Sequence, residues 1–204
     1  MKIVLASGSP RRTQILSLAH IEHIVIPSTC VEVIDKGLKP IEVVEALSLQ
    51  KAKDVARNNK DALVIGADTI VTINGKILGK PHSEEEAIEM LTTLSNTTHQ
   101  VVTGVTFIYN DIIKTIHEIT EVTFSKLSTE QIKTYINEEN VYDKAGAYAI
   151  QGTFCKYITK IKAGKMYKYM QIRELFSRGE KHEKQKTNAY RNHTGRKPQM
   201  GRAA

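Results

Sequence analysis

Hydrophobic and polar positions along this chain follow two periods, and the switches between them divide it into elements. Ile3, Val4 and Leu5 form a short apolar run that reads as a buried strand. After the turn Ser7-Gly8-Ser9, Pro10 opens a helix with Ile15, Leu16 and Ala19 on its apolar face. Residues 23–26 (HIVI) predict a second short strand. From Pro40, the stretch IEVVEALSLQKAKDVA carries apolar residues at helical spacing. Residues 62–73, ALVIGADTIVTI, read as a buried strand running into a loop and then another strand, and Asn74-Gly75 is a hairpin turn signal. Ser83 with Glu86 spells a capping box for a helix running to about Leu94. The runs HQVVTGVTFIY and IIKTIHEITEVTF are rich in β-formers, and Asn110-Asp111 between them predicts a second hairpin. Ser128 with Gln131 opens a further helix to about Glu138. Residues 147–150 and 155–161 are expected to be the last strands of the core.

The length of 204 residues suits one domain, with room for two lobes, and the 41% hydrophobic content is enough for a core. No apolar run approaches the roughly 18 residues of a membrane span, and the start is too short in apolar residues for a secretory signal. Cys30 and Cys155 lack metal-ligand spacing, which suits a cytoplasmic protein with reduced thiols. The net charge of +7 is unevenly placed. Residues 164–204 hold 11 Lys and Arg against 3 acids, net +8, whereas residues 1–163 hold 18 against 19, net −1. The basicity therefore belongs to the C-terminal segment and gives the body no nucleic-acid footprint. Residues 177–204 contain no Leu, Ile, Val or Phe, so disorder is expected from about 177; residues 165–176 suit a short amphipathic helix.

Several residues stand where chemistry could be done. Arg11 and Arg12 fall in the first turn of the first helix, adding positive charge to an end that is already positive. Ser7-Gly8-Ser9 and the arginine pair are either a plain loop with a solvated helix start or a cradle for an anion such as phosphate. Asp68 interrupts two apolar runs. It either caps a turn or stands as a carboxylate at a strand end, available as a general base or metal ligand. Gly66 allows a bend or a close backbone approach. Glu32 lies in a polar break, Lys51 on the second helix and Lys80 in the turn LGKP. Each could be only a solvated charge. Together, these cations and carboxylates are an inventory for a divalent-metal reaction on a polyphosphate. No zinc spacing, P-loop or dinucleotide fingerprint is present in the sequence.

Six collinear motifs carry a resemblance: ASGSPRR at 6–12, LQKAK at 49–53, IGADTIV at 65–71, LGKP at 78–81, HQVVTGV at 99–105 and DKAGAYAIQG at 143–152. They resemble the Maf family of nucleoside triphosphate pyrophosphatases, over roughly residues 2–162. The resemblance implies an α/β fold with an elongated mixed sheet flanked by helices, and two lobes around a cleft as in inosine triphosphate pyrophosphatases. It implies hydrolysis of a nucleoside triphosphate to the monophosphate and diphosphate with a divalent cation, Mg²⁺ or Mn²⁺. By motif match, Asp68 is the catalytic acid/base. Ser7, Arg11, Arg12, Glu32, Lys51 and Lys80 line the phosphate and metal site, with Glu32 and Asp68 toward the metal. The segments ADT at 67–69 and AIQG at 149–152 look like the dTTP/UTP-preferring branch, making Arg12, Thr69 and Gln151 specificity positions. A housecleaning role on modified pyrimidine nucleotides and a homodimer go with the family.

The chain departs from the family after residue 162. Members continue with an aromatic-rich strand, a Gly-Leu-Pro turn and a closing helix, and this chain has no Gly-Leu-Pro. Residues 1–163 are therefore expected to form the pyrophosphatase domain and 164–204 an atypical basic tail. A changed reading frame near codon 163 would produce such an end, which the gene sequence tests. A lost strand and helix would remove several kcal/mol from a marginal total. The competing functional class is an impaired scaffold whose tail binds nucleic acid or a protein partner through salt-sensitive contacts.

Overall fold

The computed structural model describes residues 1–163. The helix expected over 165–176 and the disorder expected from 177 lie outside the described residues. The elements are β1 (Lys2–Ala6), α1 (Pro10–Leu18), β2 (Ile24–Val25), α2 (Pro40–Ala56), β3 (Ala62–Ile73), β4 (Lys76–Leu78), α3 (Glu84–Leu94), β5 (Thr98–Tyr109), β6 (Ile112–Phe124), α4 (Thr129–Glu138) and β7 (Ile158–Ala163). Two short 3₁₀ turns, Ala145–Ala147 and Thr153–Tyr157, lie between α4 and β7. The strands make one seven-stranded mixed sheet in the order β2-β1-β3-β5-β6-β7, with β4 paired to β3. β1 runs parallel to β2 and β3, and the other pairs are antiparallel.

Side-chain alternation along β3 sets the layers. Ala62 and Val64 pack with Ala52 and Val55 of α2. Farther along the same face, Ile70 packs with Val44 of α2 and Val102 of β5. The opposite face supplies Val71 and Ile73 to a second core built on Leu91, Leu94, Phe124, Ile132, Tyr135 and Phe154. Helix α2 thus covers one part of the sheet, and α3 and α4 cover another. No helix among the described residues is long and apolar enough to cross a membrane.

Several expected elements differ from those observed. Residues 62–73 form one continuous strand with no loop, because β5 pairs with it from Val64 to Thr72. Residues 147–150 form no strand; Ala147 and Tyr148 are instead buried in the α3–α4 core. β7 begins only at Ile158, after a 3₁₀ turn over most of the expected start. At α3, Ser83 accepts from Glu86 N, but the Glu86 carboxylate accepts from His82 N (2.7 Å), so the box is half closed. The box at Ser128 and Gln131 forms in both directions.

Candidate active site

The parallel pairing of β1 with β3 ends at Ala6 opposite Gly66, and β4 joins β3 only from Val71. Among the described residues, no strand covers that flank of β3 over residues 67–70. The chain leaves β1 there through Ser7 and enters α1. Asp68 lies inside this uncovered stretch, opposite Gly104 of β5. The expectation of a strand end is therefore corrected: Asp68 is within a long strand, at a place where one neighbouring strand has stopped.

On the alternation of β3, Asp68 shares the face of Val64, Gly66 and Ile70, the face under α2. Lys51 of α2 meets it there, Nζ donating to Asp68 Oδ1 at 2.5 Å. The same ammonium is 2.9 Å from Glu32 Oε1. Lys51 and Asp68 side chains are 17% and 13% exposed, against 49% for Glu32, so the pair is recessed and Glu32 forms its solvent edge. Burial alone would lower the Lys51 pKa. The charges and hydrogen bonds of Asp68 and Glu32 outweigh it and hold the ammonium above its ordinary value.

Ser7 is buried, and its Oγ accepts from Arg12 Nη1 at 2.9 Å and from Ser9 N at 3.3 Å. Arg12 Nη2 donates to Thr69 Oγ1 at 3.4 Å, and that hydroxyl lies 3.1 Å from Thr103 Oγ1 on β5. Burial lowers the Arg12 pKa, opposed by the charge of Asp68, which brings the guanidinium into the same electrostatic cluster. Helix α1 has no side-chain cap at Ser9 and no acid in its first turn. The positive end of α1 therefore has no acid of its own first turn to offset it, and the negative charges that act on Arg12 come from Asp68 and Glu32.

Ser7, Arg12, Thr69, Lys51, Asp68 and Glu32 are thus drawn together. Arg11 turns away, Nη1 lying 3.7 Å from Asp143 Oδ2. The Asp143 carboxyl is held low despite burial, by its hydrogen bond with Lys144 and then by the Lys144 and Arg11 charges. Lys80 and Gln151 are exposed, and among the described residues no hydrogen bond or ion pair joins either to the cluster. Gly146 N donates to Gly79 O at 2.9 Å, which ties the segments bearing these two residues to each other. Thr103 and Asp143 were not singled out in the sequence. Thr103 becomes visible only through its register opposite Thr69, and Asp143 only through its contact with Arg11.

No cluster of three or more His, Cys, Asp or Glu suited to a metal occurs among the described residues. Two carboxylates that already converge on one cation nevertheless fit a hard divalent ion that takes its remaining oxygens from phosphate and water.

The model of the family described as Maf-like protein matches residues 2–170. The chain belongs to the Maf-like protein family. Its Maf-like relatives include a "dTTP/UTP pyrophosphatase" of Bacillus cereus, 48% identical over 161 residues that span 79% of this chain and 84% of the relative. One of the same description from Bacillus thuringiensis subsp. konkukian has the same identity and coverage. Among solved structures, the Staphylococcus aureus Ham1 protein aligns with this Maf-like chain at a TM-score of 0.45 and 20% identity, over 61% of this chain and 72% of that one.

Proposed function

We propose that the chain hydrolyses dTTP and UTP to the nucleoside monophosphate and diphosphate. The observation that carries the reading is Lys51 paired with both Asp68 and Glu32, beside Arg12, in a recess at the end of β1. The 48% identity to relatives described as dTTP/UTP pyrophosphatases supplies the substrate class.

Arg12 and Lys51 neutralise the triphosphate, and the helix α1 N-terminus and the Ser7 turn receive one of its phosphate groups. Lys51 holds Asp68 Oδ1, so the other oxygen, Oδ2, is the one that takes a proton from water. The water oxygen bonds to the α-phosphorus as the bond from that phosphorus to the bridging oxygen breaks. The electron pair leaves with diphosphate. Glu32 and Asp68 would hold a divalent cation, Mg²⁺ or Mn²⁺, which when bound supplies charge neutralisation on the phosphates and a more acidic water.

On motif match, Lys80 and Arg11 are assigned to the phosphates, and Gln151 with Thr69 and Arg12 to the base. A hydroxyl and an amide can pair with the O4/N3 edge of uracil or thymine, and a base that leaves them unpaired is rejected. The reading extends to modified pyrimidine nucleotides and to work in the cytoplasm as housecleaning of the nucleotide pool.

The test is diphosphate release from dTTP, UTP, CTP, GTP and ATP with Mg²⁺ or Mn²⁺, by the full chain and its Asp68→Asn variant. Release from dTTP and UTP, reduced about 10²–10⁴-fold in a variant that keeps its circular dichroism, is the expected result. No release from folded protein, or full activity in the variant, would overturn the assignment.

A further inference from the structure

Glu32 stands on a segment that has nothing apolar to hold it. Residues 28–37 contain no buried side chain, and Val31, Val33 and Ile34 are all exposed. Hydrophobic burial therefore cannot set where this loop lies. Its backbone is instead tied to α2 on either side of Glu32. Before it, Asp54 Oδ2 accepts from Ser28 Oγ at 2.8 Å, Thr29 N at 2.9 Å and Cys30 N at 3.2 Å. After it, Gln50 reads both backbone groups of Val33: Val33 N donates to Oε1 at 3.0 Å, and Nε2 donates to Val33 O at 2.6 Å. Gln50 and Asp54 are four residues apart and Lys51 lies between them, so one stripe of α2 carries all three. That stripe grips the loop at two points and the Glu32 carboxylate at a third.

We propose that Asp54 and Gln50 are positioning residues that fix Glu32 beside Asp68 and so set the affinity of the site for its divalent cation. The consequence for the reaction rests on the pyrophosphatase reading above. Physically, a carboxylate on a loose loop must be ordered each time it takes a ligand. A loop already held by five hydrogen bonds has lost that freedom beforehand. An ionised acceptor facing two N–H groups and a hydroxyl makes the stronger of the two clamps. The Asp54 carboxyl is accordingly held below its ordinary value, first by Ser28 and then by Thr29.

The experiment titrates Mn²⁺ into the full chain with the α,β-imido analogue of dUTP, followed by electron paramagnetic resonance. Wild type is compared with Asp54→Ala, Asp54→Asn and Gln50→Ala. Diphosphate release from dTTP is then measured against Mn²⁺ concentration. The Mn²⁺ dissociation constant should rise about tenfold in Asp54→Ala, and less in Asp54→Asn, which keeps an acceptor oxygen. The Mn²⁺ concentration for half-maximal release should move by the same factor, with kcat at saturating Mn²⁺ within about twofold of wild type. Variants with wild-type Mn²⁺ affinity would overturn the proposal, as would a fall in kcat at unchanged Mn²⁺ half-saturation, the mark of general damage to the fold. Wild type that binds Mn²⁺ with the analogue yet releases no diphosphate would defeat the pyrophosphatase reading instead, while the binding arm still decides the clamp.

Discussion

A Cβ atom on Gly66 would stand 2.6 Å from the backbone nitrogen of Ala52 and 2.4 Å from the carbonyl oxygen of Ser48. Helix α2 lies that close to β3 because this position has no side chain. Gly104 on β5 plays the same part under Val44, whose carbonyl oxygen would be 2.4 Å from an added Cβ. The close approach puts Lys51 within reach of Asp68. The two nearest obstacles at Gly66 are helix backbone and the third is Ala52 Cβ at 2.8 Å, and none of the three can rotate aside as the end of a long side chain can. Gly66→Ala should therefore lift α2 from the sheet and cost about 1–3 kcal/mol or more. It should also reduce turnover in the protein that still folds, because the Lys51–Asp68 pair opens. Urea unfolding and diphosphate release from dTTP check the two effects, and wild-type values for both would refute the account.

Arg12 uses two nitrogens of one planar group to reach Ser7 and Thr69, at 2.9 and 3.4 Å. An ammonium in its place keeps the charge but cannot span both hydroxyls in a fixed plane. Arg12→Lys should lower kcat/KM for dTTP by about 10- to 100-fold, roughly 1.4–3 kcal/mol. It should also narrow the preference for dTTP over CTP, since Thr69 loses the donor that orients it. An unchanged dTTP/CTP ratio would place Arg12 with the phosphates alone.

The periodic segments were legible because local chemistry and fold agree in them. Asn74-Gly75 takes left-handed φ of 51° and 77°, as its hairpin requires. The misreadings occur where tertiary contacts decide. A glycine and an aspartate inside residues 62–73 argue locally for a break, but the glycine serves the helix above it and β5 pairs along nearly the whole strand. Tyr148 and its neighbours look like a strand by composition, yet their burial comes from packing on Phe124 and Phe154 rather than from a ladder. The six motifs hold every residue of the cluster except Glu32, which lies between the first and second of them. Their convergence followed only from the register that stops β1 at Gly66, and the grip of Gln50 and Asp54 on the Glu32 loop required knowing where that loop folds back.

Arg11 and Asp143 form an ion pair with side chains 39% and 48% exposed. A pair this open contributes about 0–1 kcal/mol to stability, and salt screens it. Its interest is competitive, because an Arg11 held by Asp143 is not holding phosphate. Asp143→Ala should change stability by less than about 1 kcal/mol and lower KM for dTTP roughly two- to threefold. The gain should shrink as salt is raised. A KM that rises or stays constant would show that Arg11 acts only as a tether for the 143–152 segment.

His99 is 2% exposed, with its ring edge-on to Phe124 and Tyr148 at centroid distances of 4.6 and 5.4 Å. Its Nε2 lies 2.7 Å from the Tyr148 hydroxyl, and its Nδ1 is buried without a hydrogen-bond partner among the described residues. Burial pushes the pKa down from 6.5 to about 4. Above pH 6.5 the imidazole is neutral in both folded and unfolded chains and favours neither. Between 6.5 and about 4 the unfolded chain takes up the proton and the folded one does not, so stability falls with pH at about 1.4 kcal/mol per unit. The whole loss is on the order of 3 kcal/mol and is complete below pH 4. Carboxylates held low in the fold, Asp143 among them, remove stability mainly at still lower pH, so the two windows separate. Urea unfolding from pH 8 to 4 should show this decline in wild type. In His99→Phe, which keeps an aromatic ring against Phe124 but cannot titrate, the slope between 6.5 and 4 should largely vanish, even though the hydrogen bond between His99 and the Tyr148 hydroxyl is lost and stability at pH 8 is lower. An equal slope in the two proteins would assign the acid sensitivity to other groups.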